Sequence, residues 1–348
     1  MAFGRKPFNP FPRRLAKIVH RFQARQTTMK QRRRSYMSAG IWCSALLVIG
    51  GCQAKPANEA AKPTAEVQTR VEALKQKTLK DLVQVKGGTF LMGDFGPVHN
   101  PDKLPYSGER NDDVLRNVTL DGYAITAHKI TYADYDVYTD ATGKPKIAQY
   151  ARDKKYRNLP DIPAGVNWSD AQSYCRWVGQ QIGKKMDLPT EAQWEYAARS
   201  GGKMVVRPTD NGEIEDGRNV ASFEQAGSFR SEHNYIYGPT PIGKYPPNPL
   251  GLYDMIDHGY EWARDWYAES YDPKDLKNPQ GPKTGTERVQ RAHENSGGDS
   301  LGFVSMTFTR FHQLPTPSLR RLDPGMEGDE YKVNQNAFNT FRCIAETK

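Results

Sequence analysis

The sequence predicts one irregular α/β domain with few regular elements and long loops, and three observations carry this prediction. Apolar runs broken by glycine, such as Val85–Gly93, indicate short strands at the start of the domain. Two helices with capping signals begin near Ser169 and Thr190. From about residue 200 onward glycine, proline and asparagine recur and helical periodicity is scarce, which favours long loops held by a few strands.

The elements before the middle of the chain follow from local patterns. Residues 53–66 are rich in Ala, Pro, Lys and Glu and indicate a tether, and apolar residues near helical spacing over 67–82 predict a helix after it. Residues 118–126 predict a strand that continues through a turn, and three tyrosines near helical spacing predict a helix over 131–139.

The two later helices have clearer boundaries. Ser169 and Gln172 fit a capping box, with a hydroxyl at the N-cap and an amide three residues later, and Thr190 and Gln193 repeat it. An apolar stripe follows each cap, so both segments are expected to bury one face.

The net charge of +9 belongs to the N-terminus rather than to the domain. Residues 1–51 hold eleven Lys and Arg and no Asp or Glu, which leaves 38 basic and 40 acidic residues in the rest of the chain. The basic excess therefore gives no reason to expect nucleic acid as a partner of the domain.

The N-terminus has the organisation of an export signal. A basic run at 30–34 precedes an uncharged apolar stretch that ends in Gly50-Gly51-Cys52. This ending resembles the bacterial lipobox, which implies a mature protein that starts at lipidated Cys52, and Gln53 suggests sorting to the outer membrane, facing the periplasm. Residues 1–51 are then the basic N-terminus and signal peptide, and we expect translation to start at Met29. The alternative is an uncleaved anchor over 35–54, a stretch just long enough to span a bilayer.

Several segments, among them Gly165–Trp177, Leu188–Arg199 and Phe341–Cys343, carry a recognisable pattern. Together they resemble the sulfatase-modifying-factor family, whose best-known member is the formylglycine-generating enzyme. The matching segments lie in the family's order, and the resemblance covers 83–346, leaving 52–82 as lipidated cysteine, tether and helix. It implies a single α/β domain that is a variant of the C-type lectin fold. The segments are Gly87–Gly93, Gly165–Trp177, Leu188–Arg199, Pro246–Asp254, Tyr260–Trp262, Arg288-Val289 and Phe341–Cys343.

The same resemblance places the family's reactive cysteines on two glycines. In the formylglycine-generating enzyme, the segment that begins Arg-Val carries two cysteines that bind copper and oxidise a substrate cysteine. Laid on this chain from Arg288 without gaps, they fall on Gly297 and Gly302. Glycine has no thiolate to offer a soft metal ion, so we expect no copper and no formylglycine-generating activity.

Two other cysteines and one loop match structural sites of the family. Cys175 and Cys343 match positions that form a disulfide, and an oxidising compartment favours the same bond here. The stretch 254–261 resembles a structural calcium site. Its ligands would be the side chains of Asp254 and Glu261 and the carbonyl groups of Asp257 and Gly259, although Asp257-His258 replaces the usual Gly-Asn. The alternative is an acidic turn without metal.

The altered segment supplies a candidate binding surface made of His293, Glu294, Arg310 and His312. We favour a non-catalytic, outer-membrane-anchored lipoprotein that binds a periplasmic or envelope protein through long loops. Family analogy suggests an accessory or immunity role beside a secretion or toxin system. Two alternatives are an oxidative tailoring enzyme with a non-heme metal site, in which the two histidines meet, and an envelope structural protein.

Overall fold

The architecture is a set of small sheets surrounded by helices and long connections. In a computed structural model of the chain, the described residues are 63–108, 114–148, 153–270, 272, 274, 276–293, 305–316, 319–320, 332–333 and 337–347. The expectation of an α/β domain with few regular elements is confirmed. The predicted signal peptide, Cys52 and the tether up to residue 62 lie outside the described residues.

Among these residues the helices are short and the strands shorter. The helices are α1 Ala65–Asp81, α2 Gly96–His99, α3 Tyr132–Thr142, α4 Lys154–Arg157, α5 Trp168–Ile182, α6 Glu191–Ala198 and α7 Phe223–Glu232. The strands are β1 Leu82–Val85, β2 Gly88–Met92, β3 Arg116–Leu120, β4 Tyr123–Thr126, β5 Met186–Asp187, β6 Tyr260–Trp266, β7 Arg288–Arg291, β8 Phe311–Gln313, β9 Leu319–Arg320, β10 Lys332–Val333, β11 Asn339–Thr340 and β12 Ile344–Glu346.

Two four-stranded sheets carry the core. The first has the order β1-β4-β12-β5 with antiparallel pairs throughout, so the C-terminal strand lies between strands from early and middle parts of the chain. The second has the order β11-β6-β7-β8, in which only the β11–β6 pair is parallel. Two antiparallel pairs, β2–β3 and β9–β10, complete the described strands. Non-local pairing of this kind fixes β6, β7 and β8 side by side and so positions the site.

Helix α1 belongs to the domain rather than to the tether. It begins at Ala65, where the Thr64 hydroxyl accepts a hydrogen bond from Val67 N, close to the predicted start. Leu74 is buried in the main core, and Lys77 and Asp134 form an ion pair at 2.7 Å. The predicted division between tether and domain after residue 82 therefore falls inside one packed unit.

The capping predictions were partly right. Thr190 caps α6 with the predicted box, because its hydroxyl accepts from Gln193 N while the Gln193 side chain accepts from Thr190 N. For α5 the predicted cap at Ser169 was wrong: the helix begins two residues earlier, and the Asn167 side chain accepts from Asp170 N. An asparagine carbonyl reaches the free N–H groups as well as a hydroxyl does.

Helix α7 was missed by the sequence analysis, which expected only loops and strands after residue 200. It has its own capping box at Ser222 and Gln225. Only Ala226 of this helix is buried, so no apolar stripe marks it in the sequence.

The predicted disulfide is present. Cys175 on α5 and Cys343, just before β12, are bonded with their Cα atoms 5.5 Å apart, and both residues are fully buried. The bond ties the C-terminal strand to a core helix across 168 residues of sequence. Within the described part of the chain, every helix is too short or too polar to cross a bilayer.

Candidate functional site

A groove of about 420 Å³ opens along the edge formed by β6, β7 and β8. We take it as the candidate site because β7 begins at Arg288. In the sequence, the segment that starts there carries glycines at the positions of the resembled family's reactive cysteines. A larger hollow of about 540 Å³ lies beside α1 and α3, but its charged side chains pair with one another, as Lys77 does with Asp134. The groove is lined by Ser107, Gly108, Tyr260, Gln290, Met306, Thr309, Arg310, Phe311, His312 and Gln313.

Strand register brings the groove residues together from distant parts of the chain. Glu261 of β6 lies opposite Arg291 of β7, and Gln290 of β7 lies opposite Phe311 of β8. Gln290 is buried and donates to the Asn339 side chain at 3.1 Å, which links β7 to β11. The walls therefore stand on paired strands rather than on loops alone, and rigid elements hold a binding site more accurately.

Two aromatic rings that line the groove, those of Tyr260 and Phe311, pack together with the His293 ring. The ring centroids of Tyr260 and Phe311 are 4.9 Å apart, and the His293 ring lies 5.6 Å from Tyr260 and 5.7 Å from Phe311. Burial lowers the pKa of His293, which favours a neutral imidazole. This cluster thus presents ring faces and edges, the surfaces that bind apolar and aromatic groups.

His312 lies on the accessible side of the groove. Its Nδ1 is 2.8 Å from the Glu287 carboxylate, and its ring stacks on Tyr267 with centroids 4.0 Å apart. The side chain of His312 remains 43% exposed and that of Glu287 35% exposed. Both side chains are therefore accessible to solvent, and binding through His312 stays a prediction.

Arg310 was expected to bind a ligand, but the structure gives its guanidinium a different position. The side chain is 3% exposed and makes two hydrogen bonds to Glu191, at 2.7 and 3.1 Å. A third bond goes to the Ala268 carbonyl. The guanidinium therefore anchors the start of β8 to α6.

Beneath the groove runs a buried chain of alternating charges. Arg310 pairs with Glu191, Arg291 pairs with Glu195, and Glu195 also pairs with Arg199. Burial and the nearby Glu191 carboxylate raise the pKa of Asp265 to about 7. Sequence reasoning missed this network. Glu191, Glu195 and Arg199 lie within one matched segment, but Arg291 and Arg310 are distant in the sequence and reach it only through the fold.

Several predicted site residues fall outside the described part of the chain: Cys52, Glu294, Gly297 and Gly302. His293 and His312 are both described, and neither belongs to a group of described side chains that could hold a metal ion. The structure therefore offers no support, in the residues it describes, for the alternative in which these histidines form a non-heme centre.

The expected calcium ligands of β6 are already engaged by protein cations. Both carboxylate oxygens of Glu261 bind Arg342, at 2.7 and 2.8 Å, and Lys129 lies 2.9 Å from one of them. The Lys129 ammonium also donates to the Gly259 carbonyl at 2.9 Å. Lys129 thus contacts two of the four expected ligands, so this arrangement does not fit a calcium ion bound by Glu261 and Gly259.

The other two expected ligands lie in the loop before β6. Asp254 accepts a hydrogen bond from Gly243 N at 2.8 Å. Asp257, expected to act through its carbonyl, has a buried side chain beside His258, and burial raises the pKa of Asp257 to about 6 against the opposing effect of His258. The calcium prediction as a whole stays a prediction, to be tested by direct binding.

Comparison with known proteins supports the resemblance seen in the sequence. Residues 67–345 match the family described as the sulfatase-modifying factor enzyme 1-like domain. The formylglycine-generating enzyme of Mus musculus is 26% identical over 258 residues, which cover 61% of this chain and 65% of the mouse protein. The match thus spans slightly less than two thirds of that relative.

One more curated protein and one solved structure are also similar to this chain. A Bos taurus protein named inactive C-alpha-formylglycine-generating enzyme 2 is 25% identical over 288 residues, covering 64% of this chain and 86% of the bovine protein. Among solved structures, PvdO from Pseudomonas aeruginosa superposes with a TM-score of 0.56 at 22% identity, covering 76% of this chain and 94% of PvdO. At that identity the superposition shows a shared fold.

Proposed function

The chain belongs to the family of sulfatase-modifying factor enzyme 1-like domains, and from that premise we propose that it is a non-catalytic binding protein of the cell envelope. The β6–β8 groove, in this proposal, holds a segment of a periplasmic or envelope protein. A lipid on Cys52 anchors the chain to the outer membrane, facing the periplasm.

One observation carries the non-catalytic part of the proposal. The chain has four cysteines, and the two in the domain, Cys175 and Cys343, are bonded to each other. The other two, Cys43 and Cys52, belong to the predicted signal and lipidation site. The domain therefore has no thiol left to bind copper or to attack a substrate.

The groove supports binding rather than catalysis for a second reason. The guanidinium group of Arg310, which lines the groove, is held by the buried Glu191 carboxylate. The lining also includes Tyr260, Phe311 and His312, and His312 pairs with Glu287. Aromatic anchors with a polar pair at the rim are typical of protein recognition surfaces.

The finer features of the proposal rest on the sequence. Lipidation and outer-membrane sorting follow from the lipobox-like ending at Gly50-Gly51-Cys52. An accessory or immunity role beside a secretion or toxin system rests on family analogy alone. The envelope structural alternative differs from our proposal in requiring no partner that depends on the groove.

A groove substitution separates these possibilities. The lipidated mature protein should capture its partner from cross-linked envelope extract. We expect the Phe311→Ser variant to capture roughly tenfold less of that partner, because truncation of an aromatic anchor removes a dominant contact. Capture is measured by quantitative mass spectrometry of the purified complexes.

The matched control is Phe223→Ser, which removes another phenylalanine, 72% exposed on α7. This control should capture the same partner as the parent protein, and circular dichroism should show both variants folded. Equal capture by both variants, or an envelope extract that yields no specific partner, contradicts the proposed role of the groove.

A further inference from the structure

Three metal-ligating side chains meet in the loop that precedes β6. Asp254, Asp257 and His258 each place one ligand atom within 4.8 Å of the others. His258 Nε2 lies 3.4 Å from Asp257 Oδ1 and 3.7 Å from Asp254 Oδ1, and the three side chains are at most 3% exposed. The cluster is therefore a buried group of two carboxylates and one imidazole.

Two atoms of this cluster lack hydrogen-bond partners. His258 Nε2 and Asp257 Oδ2 are both buried and make no hydrogen bond. Buried polar atoms are nearly always paired, since leaving one unpaired costs free energy. His258 Nε2 and the Asp257 carboxylate can each bind a metal ion, so a cation between them would give the unpaired Nε2 a partner.

Surrounding groups orient the ligands toward that centre. His258 Nδ1 lies 3.1 Å from the buried Thr240 hydroxyl, which can accept a hydrogen bond from Nδ1–H and so leave the lone pair on Nε2. Gly243 N donates to Asp254 Oδ2 at 2.8 Å, which leaves Oδ1 facing His258. Hydrogen bonds of this kind from a second layer of residues fix metal ligands in place.

The spacing fits a small divalent ion. Ligand atoms bound at about 2.0–2.1 Å around a tetrahedral zinc ion stand about 3.3 Å apart. The shortest pair, His258 Nε2 to Asp257 Oδ1 at 3.4 Å, is already near that value, and the second, at 3.7 Å, needs only a small contraction. Two carboxylates and a neutral imidazole carry two negative charges, which a divalent cation balances.

The ligand set differs from the calcium set expected from the resemblance. Calcium prefers six to eight oxygen ligands, whereas an imidazole suits zinc and its neighbours in the first transition row. The side chains of Asp257 and His258 stand where the family pattern has glycine and asparagine, and Lys129 contacts the Gly259 and Glu261 oxygens. We propose that Asp254, Asp257 and His258 bind one divalent transition-metal ion of the zinc class.

The test uses untagged mature protein freed of metal with a chelator. On addition of zinc we expect one equivalent to remain bound after gel filtration, and a rise in Tm of about 5 °C at saturation. Cobalt in place of zinc should give the strong visible absorption of a four-coordinate site. Calcium should produce neither a bound equivalent nor a shift.

The double variant Asp257→Gly/His258→Asn restores the family pair and so has a good prospect of folding. We expect it to bind zinc at least about tenfold more weakly than the parent, since it loses two of three ligands. His99→Asn, which removes an exposed histidine outside both the cluster and the groove, should bind zinc like the parent. Equal zinc binding by the double variant and the parent, or a parent that takes up calcium but no zinc, overturns the proposal.

Discussion

The double variant Cys175→Ser/Cys343→Ser is expected to unfold with a free energy about 3–5 kcal/mol lower than that of the disulfide-bonded protein. The bond joins residues 168 positions apart, so it restricts a large part of the unfolded chain. In the chain-entropy account the stabilisation grows with the length of the closed loop, which places this bond near the upper end of the range. Both cysteines are fully buried, so the serine hydroxyls add a desolvation cost.

Denaturant unfolding measures this difference. Both proteins should carry Cys52→Ser, so that no other thiol of the mature chain reacts. A reducing agent should then lower the unfolding midpoint of the parent and leave that of the double variant unchanged. A difference below about 1 kcal/mol between the two proteins would show that the disulfide adds little to the stability of this fold.

The second large effect concerns the buried ion cluster around Glu261. We expect Glu261→Gln to lower the free energy of unfolding by about 3–5 kcal/mol, because it leaves Arg342 and Lys129 buried without a carboxylate. All three side chains are fully buried, and the Trp194 indole also donates to Glu261 at 2.9 Å. Glutamine keeps the size of the side chain, so the loss reports charge rather than packing.

A double-mutant cycle with Lys129→Met isolates the ammonium. The single Lys129→Met change should lower the free energy of unfolding by less than Glu261→Gln does, because Arg342 still neutralises Glu261. In the double variant the loss should be smaller than the sum of the two single losses, since the residues are in contact. Additive losses would contradict a direct pairing of Lys129 with Glu261.

The same cluster gives the stability a defined dependence on acid. Burial raises the pKa of Glu261, but Arg342 and Lys129 outweigh burial and lower this pKa to about 2. A carboxyl with a folded-state pKa below its unfolded value of about 4.3 stabilises the protein above that value. This contribution is lost as the pH falls toward 2. The difference in the free energy of unfolding between the parent and Glu261→Gln should therefore become smaller over that range.

Local signals in the sequence predicted the helix starts well where the capping residues were read correctly. Thr190 and Gln193 were correctly predicted as the capping box of α6. The cap of α5 was assigned to Ser169, but Asn167, two residues earlier, is the N-cap. A run such as Asn-Trp-Ser-Asp contains two good caps, and tertiary packing decides between them. Helix α7 was missed because a helix with one buried residue leaves no periodic pattern.

The composition of the candidate site was harder to predict than its location. The motif at Arg288 pointed to the altered segment, and Gln290 of the same strand lines the groove. The sequence could not show which charged side chains are already paired with other charged groups of the protein. Arg310 resembles a ligand-binding residue until its partner Glu191, more than one hundred positions away, is brought beside it by the fold.

The calcium expectation illustrates the same limit. Asp254 and Glu261 have the right residue types and spacing. Lys129, which belongs to a different part of the chain, contacts the Glu261 carboxylate and the Gly259 carbonyl. No pattern within 254–261 could reveal that contact, since it depends on the packing of the two segments.

The most direct test of the central claim is a turnover assay with the mature protein, copper(I), oxygen and a cysteine-containing sulfatase peptide, followed by mass spectrometry. A formylglycine-generating enzyme run alongside verifies that the peptide and copper are competent. We predict that the peptide is recovered with its thiol intact, because Gly297 and Gly302 stand where the redox cysteines would be. Conversion of the thiol to the aldehyde above the enzyme-free blank would contradict the account.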